Sequence, residues 1–384
     1  QRQMCIRDST KPKSAFEIDL RPEDAEFTGR AKIIKMSDVP SKKAIGFISH
    51  GSGSASFNFD ADEKGEYVLT FVFHKSMAKK KQYMQIHING KMYEIFFPET
   101  KGFSPLGRQQ IIVELKEGTN NMTIKNPVAT AIDSSYIQYK RMGNALKEAS
   151  SMWAKVTHSE EKPITYSICE WGMARPYLWG AKAGSMWRTT PDIAPNWRSI
   201  TMIYNRTLKL YKHSGPGHWN DPDMLEVGNG KLDDNENRAH FSLWCMLAAP
   251  LMLGNDIRSF VSNGMPDKDN ETLKIVTNKH MIAVDQDSLG KSAKRIKKES
   301  GIDIIARPLS NGDVALCLFN TASSTKSVNF KLDDLTKDPY LGIEEAPSGY
   351  ELHDLWTDER TTGTTINATI PKHSTVVYRV KPTI

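Results

Sequence analysis

Hydrophobic and polar positions alternate with a period of two along most of the first third of the chain. No long helical pattern interrupts the alternation, and turn signals such as Asn89-Gly90 and Glu117-Gly118 separate its runs. The pattern predicts an antiparallel β-sandwich of jelly-roll type over residues 11–127. Its predicted strands include residues 31–34, 55–59, 67–73, 84–88 and 111–115.

Between residues 128 and 291 short apolar runs alternate with helical patterns. The apolar runs at residues 164–168, 185–187 and 249–254 end in polar side chains, whereas residues 197–212 and 235–248 have the apolar spacing of helices. These strand ends recur roughly every 20 to 35 residues and carry acidic groups, which is typical of the βα units of a (β/α)8 barrel. In that fold the active site lies at the C-terminal ends of the strands.

From about residue 292 the pattern again predicts strands without helices. Asn311-Gly312 is a hairpin signal between two apolar runs. The predicted strands of this region include residues 302–307, 314–320, 327–330, 350–356 and 375–380.

The segment at residues 215–225 has the most specific chemistry. It places Asp221, Asp223, an amide and the Trp219 indole between a Gly-Pro-Gly sequence and an apolar exit. Pro222 restricts Asp221 to extended conformations. Carboxylates held in this way bind several hydroxyl groups while an indole covers an apolar face, and a sugar offers both surfaces. The alternative is a solvated Asp/Asn turn that also contains a tryptophan.

Several ordered motifs resemble one enzyme family. Residues 169–172 (Cys-Glu-Trp-Gly), 187–193 (Trp-Arg-Thr-Thr-Pro-Asp-Ile) and 219–225 (Trp-Asn-Asp-Pro-Asp-Met-Leu) resemble the ends of strands five, six and seven in the α-galactosidases of glycoside hydrolase family 27. Residues 249–256 resemble the end of strand eight, and residues 284–290 resemble the segment that leaves the barrel. The all-β region that follows is similar to the C-terminal sandwich of the family. The resemblance therefore implies an α/β plus all-β fold that contains the C-terminal half of a TIM barrel and a C-terminal antiparallel β-sandwich.

The resemblance also implies retaining hydrolysis of terminal α-D-galactosides by two carboxyl groups about 5 to 5.5 Å apart. Asp192 matches the general acid/base at the end of strand six, and Arg188 would contact the sugar and set the electrostatic environment of Asp192. An ordinary helix N-cap is the alternative role of Asp192. Glu170 matches the residue that faces the 2-hydroxyl of the sugar, with Met173 beside it. The other pocket residues that the resemblance implies are Trp171, Trp219, Asp221, Asp223 and Met224.

The galactose specificity that we expect depends on Glu170 and Met173. In the related α-N-acetylgalactosaminidases small residues at these two places leave room for an acetamido group. A glutamate and a methionine fill that space, so the pair favours galactose.

The nucleophile that the resemblance requires is absent from this sequence. In the family it is an aspartate at the end of strand four, in a Lys-Tyr-Asp-x-Cys type segment, and no such segment occurs in these 384 residues. Counterparts of strands one to three are absent as well. Residues 4–9 read like a translated sequencing adapter, so we predict that residues 1–9 are a non-native tail and that the chain is a fragment. A missing signal peptide therefore says nothing about compartment, and a secreted or periplasmic location is an expectation only.

The predicted sandwich at residues 11–127 resembles the carbohydrate-binding jelly rolls attached to glycosidases. Residues 21–26 are similar to the first strand of such modules, where acidic side chains sometimes hold a structural calcium. A structural insert and a sugar-binding module both fit this pattern. Residues 135–146 resemble the lead-in to helix four, so we predict that the sandwich is inserted between strand four and helix four. The barrel domain is then predicted at residues 128–291 and the C-terminal sandwich at residues 292–384.

Composition disfavours several other classes of function. The net charge is +6, but no array of aromatic and basic residues suits nucleic acid, and no apolar run approaches the roughly 20 residues of a membrane span. No zinc-finger or EF-hand spacing occurs, and the chemistry of the family needs no metal or cofactor, so neither is expected. Of the four cysteines, Cys169 is expected to be a free, buried thiol.

Two alternatives to an α-galactosidase remain open from the sequence. A jelly roll with an inactive barrel would be a non-catalytic galactoside-binding protein, which the missing nucleophile favours if the truncation is natural. A β-L-arabinopyranosidase of the same family is the nearest enzymatic alternative, because its sugar is galactose without the 6-hydroxymethyl group. For the α-galactosidase the expected partner is an α-galactoside oligosaccharide or polysaccharide, and the sequence does not determine the oligomeric state.

Overall fold

The computed structural model describes residues 3–8, 17–37, 39, 41–48, 51, 53–73, 82–97, 107–128, 130–343 and 348–383. The chain divides into two compact units, Gln1–Ser134 and Ser135–Ile384. Residues 1, 2 and 9 of the predicted tail and residues 11–16 of the predicted sandwich lie outside the described residues. Within the described ranges, no helix is both long and apolar enough to span a bilayer.

The described part of the first unit is built from antiparallel strands and one short 3-10 helix, Pro22–Asp24. The strands are β1 (Gln3–Asp8), β2 (Glu17–Leu20), β3 (Glu26–Gly29), β4 (Lys32–Lys35), β5 (Lys43–Gly46), β6 (Gly53–Ala61), β7 (Gly65–Phe73), β8 (Gln82–Ile88), β9 (Lys91–Phe97), β10 (Gly107–Leu115) and β11 (Gly118–Lys125). They form one sheet in the order β10-β7-β1-β2, a second in the order β3-β6-β11-β8-β9, and a β4-β5 ribbon.

The two larger sheets share one hydrophobic core. Phe97 of β9 contacts Phe71 and Phe73 of β7, with ring centroids 5.6 and 4.7 Å apart. Phe57 and Phe59 are buried on β6 while the residues between and after them are more exposed, because one face of each sheet packs on the core. The β-sandwich that the alternation predicted is confirmed.

The predicted hairpin at Asn89-Gly90 joins β8 to β9. Both residues have positive φ, 49° for Asn89 and 84° for Gly90, as the two-residue turn that matches strand twist requires. Strand β1 lies within the segment predicted to be a non-native tail, and it pairs with both β2 and β7. This pairing does not determine the origin of the segment, which stays a prediction.

Strands and helices alternate in the first half of the second unit. Its elements are α1 (Ala131–Thr157), which begins just before the unit, β12 (Ser167–Ile168), β13 (Met186–Arg188), α2 (Trp197–Thr207), β14 (Trp219–Asp221), α3 (Asp234–Met246), β15 (Val261–Ser262), β16 (Met265–Pro266), α4 (Glu271–Val276) and α5 (Lys279–Asp285). Short 3-10 helices lie at Pro176–Leu178, Gly180–Lys182, Leu208–His213 and Ile257–Phe260.

Strands β12, β13 and β14 pair in parallel in that order, and α2 and α3 each follow a strand of this sheet. A further parallel bridge joins Leu225 to Leu253, where the sequence predicted the ends of strands seven and eight. Parallel strands connected by helices are the repeating unit of the barrel. The predicted C-terminal half of a TIM barrel is confirmed.

Helix α2 is capped by Asn196, whose side chain accepts a hydrogen bond from the N–H of Ser199 at 3.0 Å. The alternative role of Asp192 as the N-cap of this helix is therefore wrong. Asn196 holds the cap because it directly precedes the first helical residue, whereas Asp192 lies four residues further back.

The rest of the second unit is an antiparallel sandwich. Its strands are β17 (Lys294–Glu299), β18 (Ile302–Pro308), β19 (Val314–Asn320), β20 (Lys326–Lys331), β21 (Tyr350–Asp354), β22 (Arg360–Gly363), β23 (Thr365–Ile370) and β24 (Thr375–Pro382), with one 3-10 helix at Leu332–Leu335. The main sheet has the order β17-β18-β19-β24-β21-β22, and β20 pairs with β23. The predicted C-terminal antiparallel sandwich is confirmed.

Strands β18 and β19 are buried on both faces. On β19, Leu316 and Leu318 belong to the core of the sandwich, whereas Cys317 and Phe319 belong to the core that contains α2 and α3. The main sheet therefore supports the half-barrel directly, and its central strands contain apolar residues at nearly every position.

A buried ion pair within this sheet is contacted by α2. Asp303 on β18 is fully buried and accepts hydrogen bonds from Arg295 Nε and Nη2, both at 2.6 Å. Tyr204 on α2 donates to Asp303 Oδ2 at 2.9 Å. Burial and the Asp303 charge raise the pKa of Tyr204, so its hydroxyl keeps the proton that it donates.

Candidate active site

The candidate site is built on the C-terminal ends of β13 and β14. The parallel register pairs Arg188 with Asp221, so both residues end their strands at the same edge of the sheet. Arg188 is buried, and its Nη2 lies 2.5 Å from Asp223 Oδ2 and 3.1 Å from Asp192 Oδ1. One guanidinium therefore connects carboxylates from two successive strand ends.

Asp223 is held in an unusual backbone conformation, with φ at 85°. Such a conformation is strained for a residue with a Cβ and persists only where the surroundings fix it. The N–H of Asp223 donates to Asp221 Oδ1 at 2.8 Å, and its carbonyl accepts from Trp244 Nε1 at 2.8 Å. Its Oδ2 also accepts the N–H of Ile193 at 2.7 Å, so Asp223 fixes the backbone directly after Asp192.

Asp221 is buried beside this network. Burial raises the pKa of its carboxyl group, although the N–H of Asp223 and the Arg188 guanidinium oppose the shift. The role of Asp221 in the fold is to hold the turn that leads to Asp223.

Asp192 differs from both of these aspartates in its exposure. Its side chain is 66% exposed, and in the described part of the chain its hydrogen-bond partner is Arg188. A carboxyl group at a strand end that is held by one cation and open to solvent has the access that a proton donor to a substrate needs.

Glu170 follows β12, and neighbouring groups occupy both of its carboxylate oxygens. Oε1 accepts from the Ser135 hydroxyl at 2.5 Å, and Oε2 accepts from the N–H of Ala174 at 3.1 Å. A Cβ on Gly172 would lie 2.1 Å from the carbonyl oxygen of Thr189, so this position requires glycine. The loop after β12 thus packs against the chain just after Arg188.

Trp171 and Met173 project from the same loop. Trp171 has φ at 52° and is exposed, and Met173 is 78% exposed. Met224 is also exposed and lies where strand ends seven and eight meet, because a Cβ on Gly254 would lie 2.9 Å from its Sδ.

Trp219 lies further from the strand ends than the other predicted residues. It begins β14, two residues before Asp221, and pairs with Met186. Its ring lies near Gly290, where an added Cβ would be 3.0 Å from the indole. The structure therefore brings together Arg188, Asp192, Asp221 and Asp223, with the Glu170 loop alongside, and places Trp219 behind them.

The sequence motifs did not identify Ser135 and Trp244 as contributors to the site. Ser135 lies at the start of the second unit and reaches Glu170 across 35 positions of sequence, and Trp244 reaches Asp223 across 21. Both residues lie in helices, outside the strand-end motifs, so no local sequence signal marks them as residues of the site. Cys169 is a free thiol, as expected, but the expectation that it is buried was wrong, because it is exposed at the end of β12.

The charges of the site do not suit a bound cation. Among the described residues at these strand ends, the Arg188 guanidinium already lies between Asp192 and Asp223. A metal ion there would have to displace a buried, permanently charged arginine. Two buried donors, Arg188 Nε and Thr190 Oγ1, have no hydrogen-bond partner in the described residues.

Comparison with protein families supports the fold and the motifs. A family model described as α-galactosidase A matches residues 129–287, and a model of the α-galactosidase C-terminal β-sandwich domain matches residues 299–380. An α-galactosidase of Cyamopsis tetragonoloba is 36% identical over 253 residues, which cover 64% of this chain and 58% of that protein. α-Galactosidase A of Cellvibrio japonicus is 35% identical over 256 residues, which cover 62% of this chain and 60% of that protein. The chain thus spans little more than half the length of these two relatives.

Two solved structures are similar to this chain over about two thirds of its length. α-Galactosidase I of Mortierella vinacea aligns with a TM-score of 0.57 and 27% identity, and the alignment covers 66% of each chain. The α-galactosidase of Saccharomyces cerevisiae, solved with raffinose, aligns with a TM-score of 0.53 and 25% identity, covering 67% of this chain and 71% of that one.

Proposed function

Because this chain belongs to the α-galactosidases of glycoside hydrolase family 27, we propose that it is part of a retaining hydrolase that cleaves terminal α-D-galactosides. The proposed substrate class is an α-galactoside oligosaccharide or polysaccharide, and the similarity to an enzyme solved with raffinose supports it. The observation that carries the proposal is the exposed Asp192 carboxyl beside the buried Arg188–Asp223 pair at the ends of parallel strands.

Asp192 is the proposed general acid and base. In the first step its proton passes to the glycosidic oxygen as the leaving group departs, and in the second step it takes a proton from the attacking water. Arg188 Nη2 holds the Asp192 carboxyl at 3.1 Å and the Asp223 carboxylate at 2.5 Å, so the guanidinium fixes the position of Asp192 at the strand end.

A retaining mechanism needs a second carboxylate as nucleophile. No segment of the 384 residues matches the motif that carries it in the family. We therefore propose that the nucleophile comes from sequence outside these residues. In this proposal the present chain contributes the acid/base half of the site.

The acid/base assignment is tested by Asp192→Ala in the complete enzyme. The variant should lose most activity on substrates with poor leaving groups, because those depend on protonation of the departing oxygen, and less on activated aryl galactosides. Added azide should restore turnover on activated substrates and give the α-galactosyl azide, since two inversions retain the configuration.

The matched control for this test is Asp334→Ala, which removes an aspartate that pairs with Lys337 at 2.6 Å in the C-terminal sandwich. It should leave the ratio of rates on good and poor leaving groups unchanged. Equal losses on both substrates for Asp192→Ala, without azide product, would contradict the acid/base role. If the complete protein binds galactosides but never cleaves them, that result would instead favour a non-catalytic galactoside-binding protein.

A further inference from the structure

A second cluster of ionisable side chains lies in the same unit, outside the candidate active site. It consists of His280 on α5, His353 on β21 and Asp358 in the turn between β21 and β22. One potential ligand atom from each residue lies within 4.8 Å of the other two. We propose that these three side chains bind one divalent transition-metal ion, with zinc as the natural occupant. The inference does not depend on the proposed glycosidase function.

The donor set is the first support for this proposal. Two imidazole nitrogens and one carboxylate oxygen suit zinc and its neighbours, whereas magnesium and calcium prefer all-oxygen sites. Three protein ligands leave the fourth tetrahedral position to water. The side chains of His280 and Asp358 are 41% and 65% exposed, so an ion can reach them from solvent.

The distances are the second support. Zinc bonds of about 2.0 to 2.2 Å at tetrahedral angles put neighbouring ligand atoms about 3.3 to 3.5 Å apart. His280 Nε2 lies 3.4 Å from Asp358 Oδ1, which already matches this separation. His353 Nε2 lies 2.5 Å from the same oxygen as a hydrogen-bonding pair, so that contact must open by about 1 Å to admit the ion. Asp358 is the exposed partner and is free to make this movement.

The arrangement of the rings is the third support. The His280 and His353 rings are nearly perpendicular, at 82° with centroids 4.8 Å apart, so they do not stack face to face. The His353–Asp358 hydrogen bond and the His280 Nε2 contact at 3.4 Å meet on the same oxygen, Asp358 Oδ1, so the three groups face one point. A metal ion binds only a deprotonated imidazole nitrogen. The proton on His353 Nε2 in the hydrogen bond to Asp358 must therefore move to the other ring nitrogen or to solvent when the ion binds.

Other contacts already hold the elements that carry the ligands together. Asn278 caps α5 and donates from Nδ2 to the carbonyl oxygen of Leu355, at 3.1 Å, within the segment between His353 and Asp358. The N–H of Asp358 donates to the carbonyl oxygen of Asp354 at 3.0 Å. Binding therefore requires mainly the opening of the His353–Asp358 contact, and the ion would connect α5 to β21 and to the turn that follows it.

The proposal is tested by metal titration of the full chain after chelation and alkylation of accessible thiols, since the exposed Cys169 is a competing ligand. Calorimetry with zinc should give one site per chain, cobalt should give the visible absorption of a tetrahedral complex, and zinc should raise the midpoint of thermal unfolding. His280→Ala, at a half-buried position on α5, should weaken zinc binding at least about tenfold.

One control variant and one further variant of a proposed ligand make the result specific. His158→Ala removes another exposed imidazole, just after α1, and should not change the affinity. Asp358→Asn keeps the size of the side chain but removes its charge, and it should weaken binding as His280→Ala does. Stoichiometric binding that is equal in the parent chain, His280→Ala and His158→Ala, or no stoichiometric binding in the parent chain, would overturn the proposal.

Discussion

At the residue scale, Glu170 and Asp192 have opposite surroundings although both follow strands of the parallel sheet. Glu170 accepts hydrogen bonds from Ser135 and Ala174 with its two oxygens. Asp192 is mostly exposed and contacts Arg188. A carboxylate that accepts hydrogen bonds from two groups of the protein is held in one orientation, whereas an exposed carboxyl group is accessible to a substrate.

The specificity of the enzyme is predicted to depend on Glu170. In the complete enzyme, Glu170→Ser should lower α-galactosidase activity by roughly 1 to 3 kcal/mol, about tenfold to a hundredfold, because a charge-assisted hydrogen bond to the 2-hydroxyl is lost. The shorter side chain should also admit α-N-acetylgalactosaminides, more so when Met173→Ala is combined with it. The measurement is kcat/KM for the two aryl glycosides.

Glu271→Ser is the matched control for this experiment, because it removes a glutamate at the start of α4 that forms an exposed pair with Lys274. It should not move the ratio of kcat/KM between the two sugars. If Glu170→Ser lowers both activities alike, Glu170 orients its own loop and does not read the 2-position.

At the scale of elements, the half-barrel contacts the main sheet of the C-terminal sandwich through α2. The helix packs on β18 and β19, and Tyr204 meets the Asp303–Arg295 pair at that contact. Asp303 is the fully buried member of the pair. A buried charge is tolerated only while its partners remain in place.

Asp303→Ala is predicted to destabilise this contact strongly. Removing one member of a buried ion pair costs about 3 to 5 kcal/mol, since the other charge is left without a partner. The lower end, about 3 kcal/mol, is expected because the Arg295 side chain is 29% exposed and regains some hydration. The midpoint of thermal unfolding measures the effect.

Glu271→Ala provides the comparison for Asp303→Ala. It breaks the exposed pair of Glu271 with Lys274, and such surface pairs contribute about 0 to 1 kcal/mol. Similar midpoints for the two variants would show that Asp303 is not the main attachment between α2 and the sheet.

At the scale of the whole molecule, both margins of the half-barrel are open in the described residues. On one side, β12 pairs with β13, and Ile164 just before it is exposed. On the other side, Met252 and Leu253 are exposed where the strand-eight motif lies. Unpaired edges and exposed apolar side chains are typical of surfaces that further strands cover.

The chain of 384 residues is predicted to release no nitrophenol from a nitrophenyl α-galactoside when it is purified alone. In the proposed mechanism this chain contributes one of the two carboxyl groups that retaining hydrolysis requires, and its barrel edges are open in the described residues. The complete enzyme, assayed in parallel, is the positive control. Robust turnover by the isolated chain would show that the nucleophile lies within these residues.

The sequence by itself determined the features that repeat over a few residues. Alternation with a period of two located the strands of the first sandwich, apolar runs flanking Asn311-Gly312 located strands of the second, and Asn89-Gly90 located a hairpin, because these signals report local backbone geometry. The ordered strand-end motifs located Arg188 and Asp192 at the end of β13, and Asp221 and Asp223 at the end of the neighbouring β14, for the same reason. Each lies at a defined distance from its own strand.

Only the tertiary structure decided the contacts between distant residues. Ser135 reaches Glu170 across 35 positions and His280 meets His353 across 73, and no local pattern records either contact. The two buried faces of β19 belong to different cores, which a continuous apolar run cannot indicate. Periodicity determines which face of an element is apolar, whereas packing determines what that face meets.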